Sequence, residues 1–445
     1  MEISIIGTGY VGLVSGVCLA EKGHQVICVD KDVEKIKKIK NAVSPIHEDG
    51  LNELLNTNVN KNMKVTTNLH DAVMNSQVSI LAVGTPFNGK EIDLNYICEA
   101  VKEIGLVLHQ KNKYHVVIVK STVVPGTTDN VILPLLEKCS GRNAGEDFGV
   151  GMNPEFLREG SAVQDFMFPD RIVLGGIDRR THELMGQLFD SFVGVDIIKT
   201  NNKTAEMIKY TSNSLLATMI SFSNEIGNLC STLRGIDAME VMKGVHLDKR
   251  ISPVLENGER VVTGITSYLK PGCGYGGSCF PKDIKALISH AENLKQPVPL
   301  LKAADEINNN QPKKMLEILI KHYPKFDKIK VAVLGLAFKP DTDDMRESPS
   351  IPIIKKLIEG NAMVSVYDPV ALNNAKKIFE GLSINYSISI QQTLEGADAV
   401  LLLTSWSEFR AIPEILIKMG IDPLIIDGRR MLSKNSVKRY EGIAI

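Results

Sequence analysis

The chain opens on a glycine pattern that leaves few folds open. Residues 3–6 form a β-branched run, Gly7-Thr8-Gly9-Tyr10-Val11-Gly12 follows, and eighteen residues after Gly12 the acid Asp30 ends a second run, QVICVD. Strand, glycines, helix, strand and acid in that order predict a βαβ unit that holds a dinucleotide. Gly7 allows the tight turn, Gly9 lets the backbone approach a pyrophosphate, and Gly12 lets helix and strand pack closely. The helix N-terminus offers unpaired N–H groups to the phosphates. Asp30 can accept hydrogen bonds from ribose hydroxyls and would repel a phosphate there, so the expected cofactor is NAD rather than NADP. The alternative is that the glycines serve only close packing.

At 445 residues the chain should divide into two or three domains. Short β-branched runs at residues 3–6, 25–29, 78–83 and 116–119 alternate with amphipathic stretches, the signature of a parallel sheet with crossover helices. A second series, less regular in pattern, starts with KIKVAVLGLAF at Lys328 and continues through MVSVYDP, ADAVLLLTSW and DPLIIDGRR. Between about Asn201 and Gln311 strand signals nearly vanish, and Thr204 to Leu233 keep helical spacing without a proline, which predicts one long helix. The expected fold class is α/β: two doubly wound Rossmann-like domains, residues 1–200 and 312–445, joined by a mainly helical central domain, residues 201–311. One subunit can hardly bury every apolar face of the long helix, so a homodimer through it is expected.

With 51 basic and 52 acidic residues, no global field draws the chain to nucleic acid or an anionic membrane. Basic residues are dispersed and aromatics are only 5% of the chain, which gives nucleic-acid binding no support. No signal peptide and no bilayer-spanning apolar run is visible. Seven scattered cysteines, an odd number, read as reduced thiols, so a cytoplasmic enzyme is the default expectation. The nine histidines show neither HxxxH nor HExxH spacing and there is no CxxC pair, so no metal site is expected.

The densest string is Gly272-Cys273-Gly274-Tyr275-Gly276-Gly277-Ser278-Cys279-Phe280-Pro281-Lys282-Asp283. Pro281 suits the first turn of a helix, which would put Cys279 at the helix N-terminus, where the dipole favours thiolate. Asp283 falls one turn further on. The glycines remove side chains that would obstruct a bulky ligand approaching the sulfur. A cysteine taken singly is more often a small core residue, and the other six are read that way.

GYGGSCFPKD, Lys120-Ser121-Thr122, the run NPEFLREG from Asn153, and the run AFKPDTDDMRES from Ala337 together resemble the UDP-glucose/GDP-mannose dehydrogenase family, in the right order and over nearly the whole chain. Within it a SCFPKD loop points to the UDP-glucose branch; GDP-mannose enzymes tend to read SCLPKD. The resemblance implies two successive oxidations of one sugar carbon by two NAD, with the aldehyde held on Cys279 as a thiohemiacetal and then as a thioester that water cleaves. Lys209 and Asn213, four apart on the expected long helix, would share a face and stabilise the oxyanion. Glu155 would activate the hydrolytic water and Glu159, one turn on, would contact the cofactor. Thr122 and Asp283 would orient a water and assist proton transfer. Lys35, Thr85, Thr122 and Arg346 join Gly7, Gly9, Tyr10, Val11, Gly12 and Asp30 at the cofactor. Lys270, Lys339 and Arg429 would meet the nucleotide end, and Phe156, Leu157, Gly276, Phe280 and Phe338 would line sugar and base. The bland alternatives are a solvated polar stripe for Lys209 and Asn213, and a helix-start acid pair for Glu155 and Glu159.

Arg250 matches a family position that reaches across the dimer into the neighbouring substrate site. The chain departs from the family pattern just after it, inserting SPVLENGERVVTGITSYLK between Ile251 and Pro271, whose NGE and TGIT predict a turn or short hairpin beside the base pocket. This makes another nucleotide sugar, GDP-mannose or a UDP-N-acetyl-hexosamine, the runner-up substrate. A two-electron hydroxyacid-type dehydrogenase would need neither Cys279 nor residues 328–430. A protein that only binds NAD as a signal would survive loss of Cys279.

Overall fold

The structure, a computed structural model, describes residues 1–233 and 235–445. Contacts divide the chain into two compact units, Met1–Ser212 and Asn213–Ile445, and the division falls inside the long helix.

The first unit is built on eight strands: β1 (Glu2–Ile6), β2 (Gln25–Val29), β3 (Met63–Thr66), β4 (Val78–Leu81), β5 (His115–Val119), β6 (Phe148–Met152), β7 (Arg171–Gly176) and β8 (Asp196–Thr200). Their order, β3-β2-β1-β4-β5-β6-β7-β8, reverses direction beside β1, where the glycine turn lies. Such a reversal opens a crevice at the carboxyl ends of the strands. Strands buried on both faces must be apolar throughout. Accordingly Val116 and Ile118 of β5 join the cluster around Leu13 and Val17, while Val117 and Val119 join the one around Val101 and Ile104. Pairing is parallel except between β6 and β7, which run antiparallel at Gly151↔Gly176.

Sequence pattern did not single out β3, β6, β7 or β8. In β6, FGVGM, glycine lowers strand propensity for a packing reason. A Cβ at Gly149 would lie 2.4 Å from Thr181 Oγ1, and one at Gly151 would lie 2.2 Å from Met185 Sδ, both on helix Arg179–Gln187.

In the second unit, β9 (Lys330–Leu334), β10 (Met363–Tyr367), β11 (Ile384–Tyr386), β12 (Ala399–Leu402), β13 (Leu424–Asp427) and β14 (Tyr440–Gly442) form a sheet of order β11-β10-β9-β12-β13-β14. Expected to be the less regular sheet, it is parallel throughout. Val331 and Val333 face one core and Ala332 and Leu334 the other.

The middle of the chain is helical: a 32-residue helix, Asn202–Leu233, then Ala238–His246, Phe280–Asn293 and Pro299–His322. The long helix inverts the usual pattern. Glu206, Lys209, Asn213, Ser221 and Asn224 are buried, while Leu215, Phe222, Leu229 and Leu233 are each about half exposed. The inserted segment forms the short hairpin its sequence predicts, with Val254 bridged to Arg260 and Leu255 N–H donating to Glu259 O at 2.8 Å. Arg260 ties it down through Leu247 O and Ser252 O, both at 2.8 Å. Among the described residues no helix is long and apolar enough to cross a membrane.

Candidate active site

At the end of β1 the chain turns through Gly7 at φ +97°, a conformation that side chains resist. A Cβ at Gly12 would lie 1.9 Å from Gly7 O, so helix Tyr10–Glu21 can start this close to the strand only with glycine there. Gly9 differs: a Cβ would meet nothing within 4 Å. It is the helix N-cap and no side chain caps it, which leaves the first N–H groups open to an anion.

Asp30, after β2, has Oδ2 accepting from Thr8 N–H at 2.9 Å, Thr8 Oγ1 at 2.7 Å and Lys35 Nζ at 3.0 Å, and Oδ1 accepting from Asp32 N–H at 3.0 Å. Burial works against ionisation, but these donors outweigh it and hold the carboxyl down at about 2. Lys35 is thus the ion-pair partner of Asp30. An open helix N-terminus over unobstructed Gly9, with an ionised acid at the end of the neighbouring strand, fits a dinucleotide. Tyr10 OH accepts from Gly160 N–H at 2.8 Å, and Thr85 Oγ1 donates to Thr122 O at 2.7 Å. Val11 lies in the first turn of helix Tyr10–Glu21, and Glu159 is buried beside Gly160.

Glu155 and Lys209 are both buried, with Oε1 and Nζ 2.8 Å apart. Glu155 Oε2 accepts from Leu157 N–H at 2.7 Å. Desolvation favours the neutral acid, yet Lys209, the Leu157 N–H and Lys120 together keep Glu155 below its ordinary value. Lys209 is therefore no part of a solvated stripe. Nor are Glu155 and Glu159 one helical turn apart: residues 153–158 lack regular structure, and the next helix starts only at Ala162. Phe156 has the Arg171 guanidinium stacked 3.9 Å from its ring centre, with Lys209 Nζ at 5.6 Å.

Three groups here escaped sequence reasoning as site-builders. Lys120 is buried and donates to Asn153 Oδ1 at 2.8 Å; burial pushes it down to about 8. Glu206, fully buried one turn before Lys209, accepts from Thr128 N–H at 2.8 Å and from Gly126 N–H, fixing the loop that follows Thr122. Glu48 accepts from Gly160 N–H and Ala162 N–H, each at 2.7 Å. Each partner is distant in sequence, which no local pattern reveals.

In the second unit, Cys279 is the N-cap of helix Phe280–Asn293, with Pro281 in the first turn. Its carbonyl accepts from Asp283 N–H at 2.9 Å, and its Sγ lies 3.6 Å from Ser278 Oγ. Asp283 is buried, and its carboxylate accepts from Asn213 Nδ2 and Lys282 Nζ, each at 2.6 Å. Phe280 packs edge-on against Tyr275, the ring centres 5.9 Å apart. A Cβ at Gly276 would lie 2.3 Å from Glu347 O, so the loop runs directly over the chain that follows β9. Lys339 Nζ sits 5.9 Å from the Phe338 ring centre. Arg429 donates to Leu403 O at 2.7 Å and Gly274 O at 3.1 Å, spending much of its guanidinium on loop carbonyls. Arg346 is paired with Asp344 at 2.8 Å and Arg250 with Asp248 at 2.5 Å, both on the surface, and Lys270 is exposed.

The first unit thus holds a buried lysine–glutamate pair and a glycine turn under an open helix N-terminus, and the second holds a thiol capping a helix with a buried acid one turn on. Comparison with known proteins points the same way. The NAD-binding domain, central domain and UDP-binding domain models of the UDP-glucose/GDP-mannose dehydrogenase family match residues 1–193, 203–310 and 332–434. The chain is 40% identical to a UDP-glucose 6-dehydrogenase of Haloferax volcanii over 448 residues, 100% of both chains. It is 39% identical to a GDP-mannose 6-dehydrogenase of Pseudomonas putida over 93% of both. Among solved structures it is similar to a UDP-glucose dehydrogenase of Pyrobaculum islandicum, with TM-score 0.88 and 34% identity over 99% of this chain and 97% of that one. From the glycine turn to the last strands, the chain belongs to the UDP-glucose/GDP-mannose dehydrogenase family.

Proposed function

We propose that the protein is an NAD-dependent nucleotide-sugar dehydrogenase that oxidises UDP-glucose to UDP-glucuronate, with Cys279 as covalent nucleophile. The observation that carries this reading is the placement of Cys279 at the N-terminus of helix Phe280–Asn293. There the dipole lowers the cost of thiolate. Gly7, Gly9, Gly12 and the helix N-terminus would hold a pyrophosphate, and Asp30 a ribose. Bound NAD supplies the hydride acceptor, one molecule for each oxidation.

Loss of hydride and proton from the primary alcohol gives an aldehyde. Cys279 Sγ then bonds to its carbon, and the oxygen becomes the thiohemiacetal oxyanion, which Lys209 and Asn213 are assigned to stabilise. Loss of a second hydride leaves a thioester. Water adds to that carbon, the C–S bond breaks, and the carboxylate leaves Cys279 as thiol. Glu155, kept ionised, can accept the proton of that water, with Thr122 and Asp283 orienting it.

Identity to the UDP-glucose and GDP-mannose enzymes is nearly equal, so the substrate rests on the SCFPKD loop. Counting NADH per sugar with purified protein on UDP-glucose, GDP-mannose and UDP-N-acetylmannosamine tests it. Two NADH per UDP-glucose are expected, and Cys279→Ser should abolish net acid formation. One NADH with aldehyde release would remove the covalent step. Activity only on another sugar would make the hairpin after Ile251 the specificity element.

A further inference from the structure

Helix Pro299–His322 contributes no group to the proposed chemistry, yet its buried Asn308 grips the loop that leads to Cys279. Asn308 Oδ1 accepts from Tyr275 N–H at 2.8 Å, and Nδ2 donates to Tyr275 O at 3.0 Å. One side-chain amide thus satisfies both backbone groups of one residue, as a neighbouring strand would. The fit is close: Gly274 holds φ +97°, and a Cβ there would lie 2.9 Å from Asn308 Oδ1.

Only Gly276, Gly277 and Ser278 separate the clamped residue from Cys279. Two adjacent glycines give a chain little stiffness of its own, so the place of the sulfur depends on what anchors the loop. Other anchors include Gly272 N–H to Asn224 Oδ1 at 2.8 Å, Cys273 N–H to Gly428 O at 3.1 Å, Arg429 Nη1 to Gly274 O at 3.1 Å, and Gly277 N–H to Arg346 O at 2.8 Å. Among these side chains Asn308 holds both the N–H and the C=O of one loop residue, Tyr275.

We propose that Asn308 is a positioning residue for Cys279, setting the loop so that the thiol starts its helix at the reacting carbon. This rests on Cys279 being the nucleophile. The test compares full-length wild type, Asn308→Leu, which keeps the branching at Cγ but neither hydrogen bond, and Cys279→Ala. Two quantities are read on folded protein: the rate of Cys279 alkylation by iodoacetamide, located by peptide mass spectrometry, and kcat and KM for UDP-glucose. Asn308→Leu is expected to slow alkylation and to lower kcat by on the order of 10²-fold, the effect of about 1 Å of misplacement, with little change in KM. A purely structural Asn308 would lower the melting temperature and leave both rates at wild-type values, which overturns the inference. If Asn308→Leu does not fold, Asn308→Gln, with the same amide on a longer stem, undergoes the same measurements, and wild-type rates there likewise overturn it. Acid formation by Cys279→Ala would instead overturn the reading beneath it, whatever Asn308 does.

Discussion

Carboxylates at the ends of parallel strands differ in how far their own backbone takes them up, as Asp30 and Asp368 illustrate. Asp30 accepts only two backbone N–H groups, and one oxygen is shared with Thr8 and Lys35. Asp368, at the same place after β10, accepts from the N–H groups of Leu336, Ala337, Val370 and Ala371 and from Trp406 Nε1 at 3.1 Å, which leaves it nothing for a ribose. Asp30→Ala should therefore lose about 1.5–3 kcal/mol of charge-assisted hydrogen bonding to NAD, roughly tenfold to a hundredfold in KM. It should also narrow the preference over NADP; steady-state rates with both cofactors check this. The places of Cys279 at a helix start and Asp30 at a strand end were legible because each lies within a short string. Lys120, Glu206 and Asn308 were not, because an amide or a buried charge is defined by partners some thirty to eighty residues away.

Within the glycine turn Gly12 and Gly9 differ in the room the fold leaves around them. Gly12→Ala drives a Cβ into Gly7 O and should destabilise the first unit by about 1–3 kcal/mol. Gly9→Ala meets only open space, so it should melt as wild type does while KM for NAD rises, because the methyl group would occupy the pyrophosphate's approach. Thermal melts beside NAD titrations distinguish the two. The long helix makes its own prediction. Its half-exposed Leu215, Phe222 and Leu229 recur every seven residues, a single apolar stripe that helical proteins bury against a partner. Phe222→Glu should shift a dimer toward monomer in sedimentation velocity, and a wild type that sediments as monomer throughout would sink the homodimer reading.

The folded chain also carries a pH liability that belongs to its stability as a whole. His115 is completely buried on β5, with Nε2 2.8 Å from Ser79 Oγ; burial first, then the Lys111 cation, push it down from 6.5 to about 3. The imidazole is neutral in the fold, while the unfolded chain takes up a proton below 6.5. Stability from this site is complete above 6.5 and falls as pH drops toward 3, by up to about 1.4 kcal/mol per unit. The stability gap between wild type and His115→Gln in urea titrations should shrink from pH 7 to pH 5; a constant gap would refute the buried neutral imidazole. The amino-acid sequence by itself determined the class of fold, the glycine turn after β1, the long helix and the place of Cys279 at a helix start, because each follows from local periodicity or from a glycine or proline acting on its own backbone. Tertiary structure alone decided the antiparallel junction of β6 and β7, the burial of Glu155 against Lys209, the occupation of Asp368 and the grip of Asn308. Those depend on which distant groups meet after water is expelled, when every buried donor and acceptor must find a partner.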